Sequence, residues 1–253
     1  MRTIDRVFSV LDCFSHEHPQ LTLQEIADMI GLAKSTTSRL TGALQRLGYL
    51  HRDDDLRFTL SLEFARLASV ATGTLDVRQV LRPVMEELVE ATGETVTLNT
   101  VDGNDRICVA VSRSASPLFT VNRPGERTPL GLGGASLVLM ALMPQEALEL
   151  VVHRAAREAK CSVKELRSIL DTVQTQSYAV SHGGGIRGLS GISVPLFQGD
   201  GSVQYCLSVV VPTKRVTGHV IDLLEAARHA AIAGSRRLGG ERAFKTTLER
   251  LRS

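Results

Sequence analysis

The chain has 253 residues, 43% of them apolar, and 29 Lys and Arg against 27 Asp and Glu leave a formal net charge of +2. That length allows two domains with real cores, and a charge this small names no partner by itself, so local clustering must. Four widely spaced cysteines, Cys13, Cys108, Cys161 and Cys206, argue against a disulfide framework and a zinc site. The opening residues, MRTIDRVFSVLDCF, lack the parts of a secretory leader. No apolar run reaches the ~18 residues of a membrane span. A soluble, cytoplasmic protein with buried or spare thiols is expected.

In chain order, Ile4, Val7, Phe8, Val10, Leu11 and Phe14 share one helical face, ended at His18-Pro19. Thr22 with Glu25 three residues on predicts a capping box, opening a helix with Ile26, Ala27 and Ile30 on its apolar side. Gly31 closes it. A third helix spans about 33–47 with Leu40, Leu44 and Leu47 inward, and Gly48 ends it. Two short strands follow around the acidic turn Asp53–Asp55. Residues 61–92 read as helix, interrupted at Gly73 and Pro83. Strands are expected at 95–101, 106–112 and 117–122, the first two joined by a Gly103-Asn104 turn. Helices are expected at 134–143, 144–156 and 163–176. Strands return at YAVSH, SGISVPLF and VQYCLSVVVP, and a helix from about Val216 to Leu238 closes the pattern. The class is α+β with an antiparallel-rich sheet and flanking helices.

The chemistry concentrates in LTLQEIADMIGLAKSTTSRLTGALQRLGYL. Two helices meet through a short turn at Gly31, and the second presents Lys34, Ser35, Thr36, Ser38 and Arg39 on its leading half. These are phosphate and base-edge contact types on the part of a recognition helix that enters the major groove. Residues 1–60 hold seven basic against eight acidic residues, yet Lys34 to Arg52 holds four basic residues and no acid. Arg52 and Arg57 on the hairpin are phosphate candidates, whereas the acidic tip between them is unusual for a DNA-facing wing.

Enzyme-like strings fail on context. The loop His182–Gly185 suggests an oxyanion hole, but Gly188-Leu189-Ser190-Gly191-Ile192 misses the last glycine of a nucleophile elbow and precedes a strand. Gly131–Ser136 lacks the third glycine and the acidic residue of a dinucleotide loop. The histidines show no metal-ligand spacing. No cofactor is expected. A hydrolase-like enzyme with an incidental helix-turn-helix is the alternative reading.

Over nearly its whole length the sequence resembles the IclR family of transcriptional regulators. The resemblance rests on the helix-turn-helix string, RFTLSLEFARLA, LRPVMEELVEATGETVTLNTVDGNDRICVAVS, VNRPGERTPLGLGGASLVLMALMP, YAVSHGGGIRGLSGISVPLF and QYCLSVVVPTKRV. It implies a winged helix at 1–60, a linker helix at 61–74, a GAF-like effector-binding domain at 75–240 and a tail at 241–253. It also implies a homodimer, or a dimer of dimers, repressing or activating from near-palindromic double-stranded operator DNA. The ligand implied is a small organic effector, such as a carboxylate or aromatic metabolite, and the genes controlled are catabolic or transport genes. Within that fold the effector site is expected between the sheet and 128–136. Its candidates are Leu130, Gly133, Gly134, Ala135, Ser136, Ile192, Ser193, Cys206 and Ser208, with the amides at the helix start suited to an anion. The glycine-rich spelling after Pro129-Leu130, and Leu137 where many members have lysine, depart from the common pattern.

Overall fold

The computed structural model describes residues 2–15, 18–67, 76–114, 123–183, 188–216 and 218–241. The chain falls into two compact units, Met1–Leu75 and Asp76–Ser253.

The first unit is built from helix α1 (Arg2–Leu11), strand β1 (Gln20–Thr22), α2 (Leu23–Ile30), α3 (Lys34–Arg46), β2 (Leu50–Arg52) and β3 (Arg57–Leu60). The capping box forms as read. Thr22 Oγ1 accepts from the Glu25 amide at 3.3 Å, and Glu25 returns a carboxylate to the Thr22 amide at 2.7 Å. Gly31 takes φ 65°, a left-handed conformation that reverses the chain between α2 and α3. The three strands form an antiparallel sheet in the order β1-β3-β2. Strand β1 escapes sequence reading because three residues show no alternation. Val10, Leu21, Ile26, Leu44, Leu50 and Phe58 make the core.

Two expectations need correction here. Leu47 lies beyond the last turn of α3 and is 70% exposed, not inward. The helix buries Thr37, Thr41 and Leu44 instead. Each threonine satisfies its hydroxyl on a carbonyl of the preceding turn, Ala33 at 3.3 Å and Thr37 at 3.0 Å, and so packs as a small apolar side chain. The face of α1 is also only half used: Val10 is buried, while Ile4 and Phe8 are 63% and 61% exposed. Of the expected linker helix, 63–67 are helical and 68–75 lie outside the described residues.

The second unit carries α4 (Val77–Thr92), β4 (Thr95–Asp102), β5 (Asp105–Ser112), β6 (Arg127–Pro129), α5 (Gly133–Ala141), α6 (Gln145–Glu158), α7 (Val163–Gln176), β7 (Ala179–His182), β8 (Leu189–Phe197), β9 (Val203–Pro212), α8 (Thr213–Val216) and α9 (Val220–Arg237). Its six strands run β6-β5-β4-β9-β8-β7, every neighbouring pair antiparallel. Helix α4 continues through Pro83, which the sequence suggests as a break. The ring removes one backbone donor, and burial of Leu81, Val84, Met85 and Leu88 holds the helix regardless. The expected long final helix is two helices, parted by Gly218 at φ 91°. Strand β6 is a second three-residue edge missed by pattern. The strand expected at 117–122 lies outside the described residues.

Register fixes which side chains share a face. Ile192 pairs with Val209 and Val194 with Leu207, while Gly191 pairs with Val210, Ser193 with Ser208 and Pro195 with Cys206. Alternation therefore sends Ile192 to one face of the sheet and Ser193, Cys206 and Ser208 to the other. Helix α5 packs over this second face.

Candidate functional site

The helix-turn-helix presents α3 by a simple rule. With Thr37, Thr41 and Leu44 inward, a period of 3.6 residues turns Ser35, Arg39, Gly42 and Arg46 outward. Lys34, Ser35, Ser38 and Arg39 are exposed, and Thr36 is half-buried toward α1. No side chain caps the helix start at Ala33, which leaves its first amides open to an anion. Gly42 stands in mid-helix, where glycine costs about 0.5–1 kcal/mol relative to alanine. A Cβ there would meet only the Arg46 guanidinium, at 3.7 Å. Nothing in the fold itself asks for a glycine at that position.

The hairpin explains the first residue of its acidic tip. Asp53 Oδ1 accepts from the Arg57 amide at 2.8 Å, and the Leu56 amide donates to the Asp53 carbonyl at 3.1 Å, closing the turn. Asp53 is thus a turn residue. Of the two wing arginines, Arg52 lies over the Phe58 ring at 5.1 Å, and Arg57 approaches Glu25 at 3.7 Å. The Glu25 carboxyl is held below its usual range chiefly by the Thr22 amide. Both arginines are half-buried and have local partners, unlike Arg39.

In the second unit, a cavity of about 60 Å³ lies where the start of α5 meets the sheet. It collects Gly133, Gly134, Ala135, Ser193 and Ser208 from the expected residues. Four others fall elsewhere. Leu130 and Ile192 are buried in the core and do not line the cavity, and register turns Ile192 to the opposite face of the sheet from Ser193. Cys206 is fully buried with its thiol toward the Ala135 carbonyl at 3.8 Å, and burial pushes that thiol up to about 12. Ser136 is fully buried and its hydroxyl has no partner among the described residues. The amides at the α5 start are not all open either, because Gly134 donates to Ser181 Oγ at 2.9 Å.

The structure adds Thr97, Arg106, Ser181 and Ser190 to the lining. Arg106 matters most, as the one cation among the described residues that line the cavity. It stands on β5, far in sequence from the α5 loop, and only the sheet order brings it there. Its Nη2 donates to Thr128 Oγ1 at 2.9 Å and its Nη1 to Asn99 Oδ1 at 3.3 Å, while its buried Nε has no partner among the described residues. Ser193 and Ser208 share a hydrogen bond of 2.8 Å across the floor.

Ser190 lacks the setting of a catalytic serine. Its hydroxyl lies 3.1 Å from Thr213 Oγ1 and 3.0 Å from His182 Nδ1. Strand β8 starts there, without the strand-to-helix elbow that exposes a catalytic serine. The glycine loop at 184–187 lies outside the described residues. Among the described residues no group of His, Cys, Asp and Glu is placed to hold a metal ion, and no helix is long and apolar enough to cross a membrane.

A winged helix-turn-helix followed by a sheet domain with a small polar cavity defines a ligand-responsive DNA-binding protein. Comparison with known proteins agrees. Residues 3–54 match the IclR helix-turn-helix domain and residues 69–236 the C-terminal domain of the bacterial transcriptional regulator IclR. The chain belongs to the IclR family of transcriptional regulators, and it is a regulator, not an enzyme. It is 27% identical to the HTH-type transcriptional regulator KipR of Bacillus subtilis, an alignment covering 94% of this chain and 97% of that one. It is 25% identical to the HTH-type transcriptional regulator XynR of Escherichia coli, covering 94% and 98%. Among solved structures, an IclR-type regulator from Silicibacter superposes with a TM-score of 0.85 at 23% identity, covering 95% of this chain and 97% of that one. An IclR homologue from Microbacterium hydrocarbonoxydans, complexed with 4-hydroxybenzoate, superposes with a TM-score of 0.58 at 23% identity, covering 93% and 98%.

Proposed function

We propose that this regulator reads its operator with the outward stripe of α3 and that a short carboxylate in the Arg106 cavity tunes its affinity for DNA. Lys34, Ser35, Thr36, Ser38 and Arg39 supply the base and phosphate contacts, and Arg52 and Arg57 reach phosphate from the wing after leaving their local partners. The observation that carries the DNA half is an unpaired, exposed Arg39 beside an uncapped helix start. The protein acts as a homodimer on a near-palindromic site, a reading supported by the uncovered apolar side chains Ile4 and Phe8. Selection of bound sequences from a random duplex library, followed by footprinting, tests it. Recovery of no common motif would refute the operator reading.

Gly42 has a role in this docking. Without a side chain there, the helix sits closer to the base edges. Gly42→Ala is expected to stabilise the first unit by about 0.5–1 kcal/mol and still weaken operator binding by about tenfold. Thermal unfolding and a binding titration together check it. A variant both more stable and equally tight would show that Gly42 faces no DNA.

The ligand's chemistry follows from the cavity. An unpartnered Nε and a ring of hydroxyls suit an anion with several acceptor oxygens. A space of about 60 Å³ holds a few water-sized groups, which favours a short aliphatic carboxylate over an aromatic one. The Microbacterium relative holds a carboxylate too, though one with a ring. A thermal-shift panel of acetate, lactate, succinate and benzoate is expected to show stabilisation by the short members. Arg106→Met is expected to weaken the best of them by about 10- to 100-fold, the worth of charge-assisted hydrogen bonds. A ligand shift that survives in Arg106→Met would exclude this anchor.

A further inference from the structure

We infer that the groove between α1 and α3 is a second line of contact to the DNA backbone, in which Arg6 and Arg46 each neutralise a phosphate beside Arg39. The groove measures about 420 Å³ and is lined by Thr3 and Arg6 of α1 and by Thr36, Arg39, Ala43 and Arg46 of α3, with Leu40 at its base. Three arginines and two threonines line it, with no acidic residue in the lining.

Arg57, Arg66, Arg78, Arg82, Arg127, Arg167, Arg215 and Arg236 all have a carboxylate within 4 Å. Among the described residues, Arg6, Arg39 and Arg46 have none. Other arginines, Arg52 and Arg106 among them, also lack an ion pair there; the groove gathers three with no carboxylate in its lining. Three like charges placed around one groove repel one another, and no neighbouring acid relieves them. A polyanion outside the chain would.

The geometry of a duplex supplies the rest. A major groove about 12 Å wide takes a helix of about 10–12 Å diameter, so the flanks of α3 face the phosphate walls when its outward stripe faces the bases. The flank toward α1 carries this groove. Arg39 and Arg46 are seven residues apart, about 10 Å along the helix axis, so Arg46 meets a phosphate away from the base edge that Arg39 reads. Arg6 reaches the wall from α1. Sequence reading passed over Arg6 because it lies in an amphipathic helix of mixed charge, 28 positions before Lys34 and far from the motif. The packing of α1 on α3 places it.

The inference rests on DNA docking through α3, and the test separates the two. Affinity for a short labelled duplex of arbitrary sequence, and for a selected operator, is measured against salt concentration. Each lost phosphate contact lowers the slope of log affinity on log salt by about 0.9, which is about fivefold in affinity at ~0.15 M salt. Arg6→Ala and Arg46→Ala are each expected to lose this much on both duplexes, with unfolding temperature unchanged. Arg6→Lys, which keeps the charge, is expected to retain the slope. Arg167→Ala, in the second unit, is the control and leaves it untouched. Unchanged slopes in both alanine variants would overturn the inference, and so would a loss confined to the operator, which would mean base reading. If the wild-type protein shows no salt-dependent binding to either duplex, the docking itself has failed and not the groove alone.

Discussion

Gly131→Ala is expected to destabilise the second unit by about 4 kcal/mol and to lower its melting temperature by roughly 8–16 °C. Two effects add at this residue. Its φ is +93°, a region that costs a side-chain-bearing residue about 1–3 kcal/mol. A Cβ would also lie 2.2 Å from the Ala155 carbonyl oxygen and 2.9 Å from its carbon. That obstacle is the backbone of α6 and not a flexible side chain, so relief requires the helix to move, at a further cost of about 1–3 kcal/mol. Gly125 is the internal comparison. Its φ is +87°, and nothing lies within 4 Å of its missing Cβ, so Gly125→Ala is expected to show the backbone cost alone, about 1–2 kcal/mol. Calorimetry of the two variants checks the pair. Equal melting temperatures would show that α6 yields without cost. Glycine at 131 thus serves the close packing of a loop on α6, and it does not line the cavity.

Arg39→Ala is expected to weaken operator binding by about 5- to 150-fold, the worth of one bidentate contact to a guanine edge at 1–3 kcal/mol. The loss falls mainly on specificity. Binding to arbitrary duplex drops only by the share of one charge, about fivefold at ~0.15 M salt. Stability is expected to hold, because Arg39 is exposed and makes no ion pair among the described residues. Fluorescence anisotropy on the selected operator and on a scrambled one checks it. A uniform, small loss on both sequences would move Arg39 from base reading to phosphate contact. The contrast with Arg57 is useful: its Glu25 partner must be given up before it meets DNA, so Arg57→Ala acts on a contact already offset in the free protein.

The helix-turn-helix was legible because its signals are local. Thr22 and Glu25 cap within one turn, Gly31 turns within one residue, and both appear in the structure as the string suggests. The alternating strands of the second unit were legible for the same reason, since a period of two needs only neighbours. The three-residue strands β1 and β6 were not, because they exist only as edges paired to β3 and β5. Leu47 misled because a heptad-like spacing continued past the point where the helix stops.

The two sites divide along the same line. The sequence by itself determined the recognition helix, its charge and its contact types, since one short segment carries them all. Tertiary structure alone decided what lies beside it: Arg6, set against α3 by the packing of α1, and Asp53, which closes the turn of the hairpin. The cavity depended on tertiary structure still more. Ser193 and Ser208 were in reach of strand alternation and Gly134 of the glycine-rich helix start, whereas Ile192 was turned to the opposite face by register and Arg106 was brought in by the order of strands across the sheet. Hydrogen-bonded register and strand order are long-range properties. A local pattern reports which residues can face inward, and only the assembled sheet determines what they face.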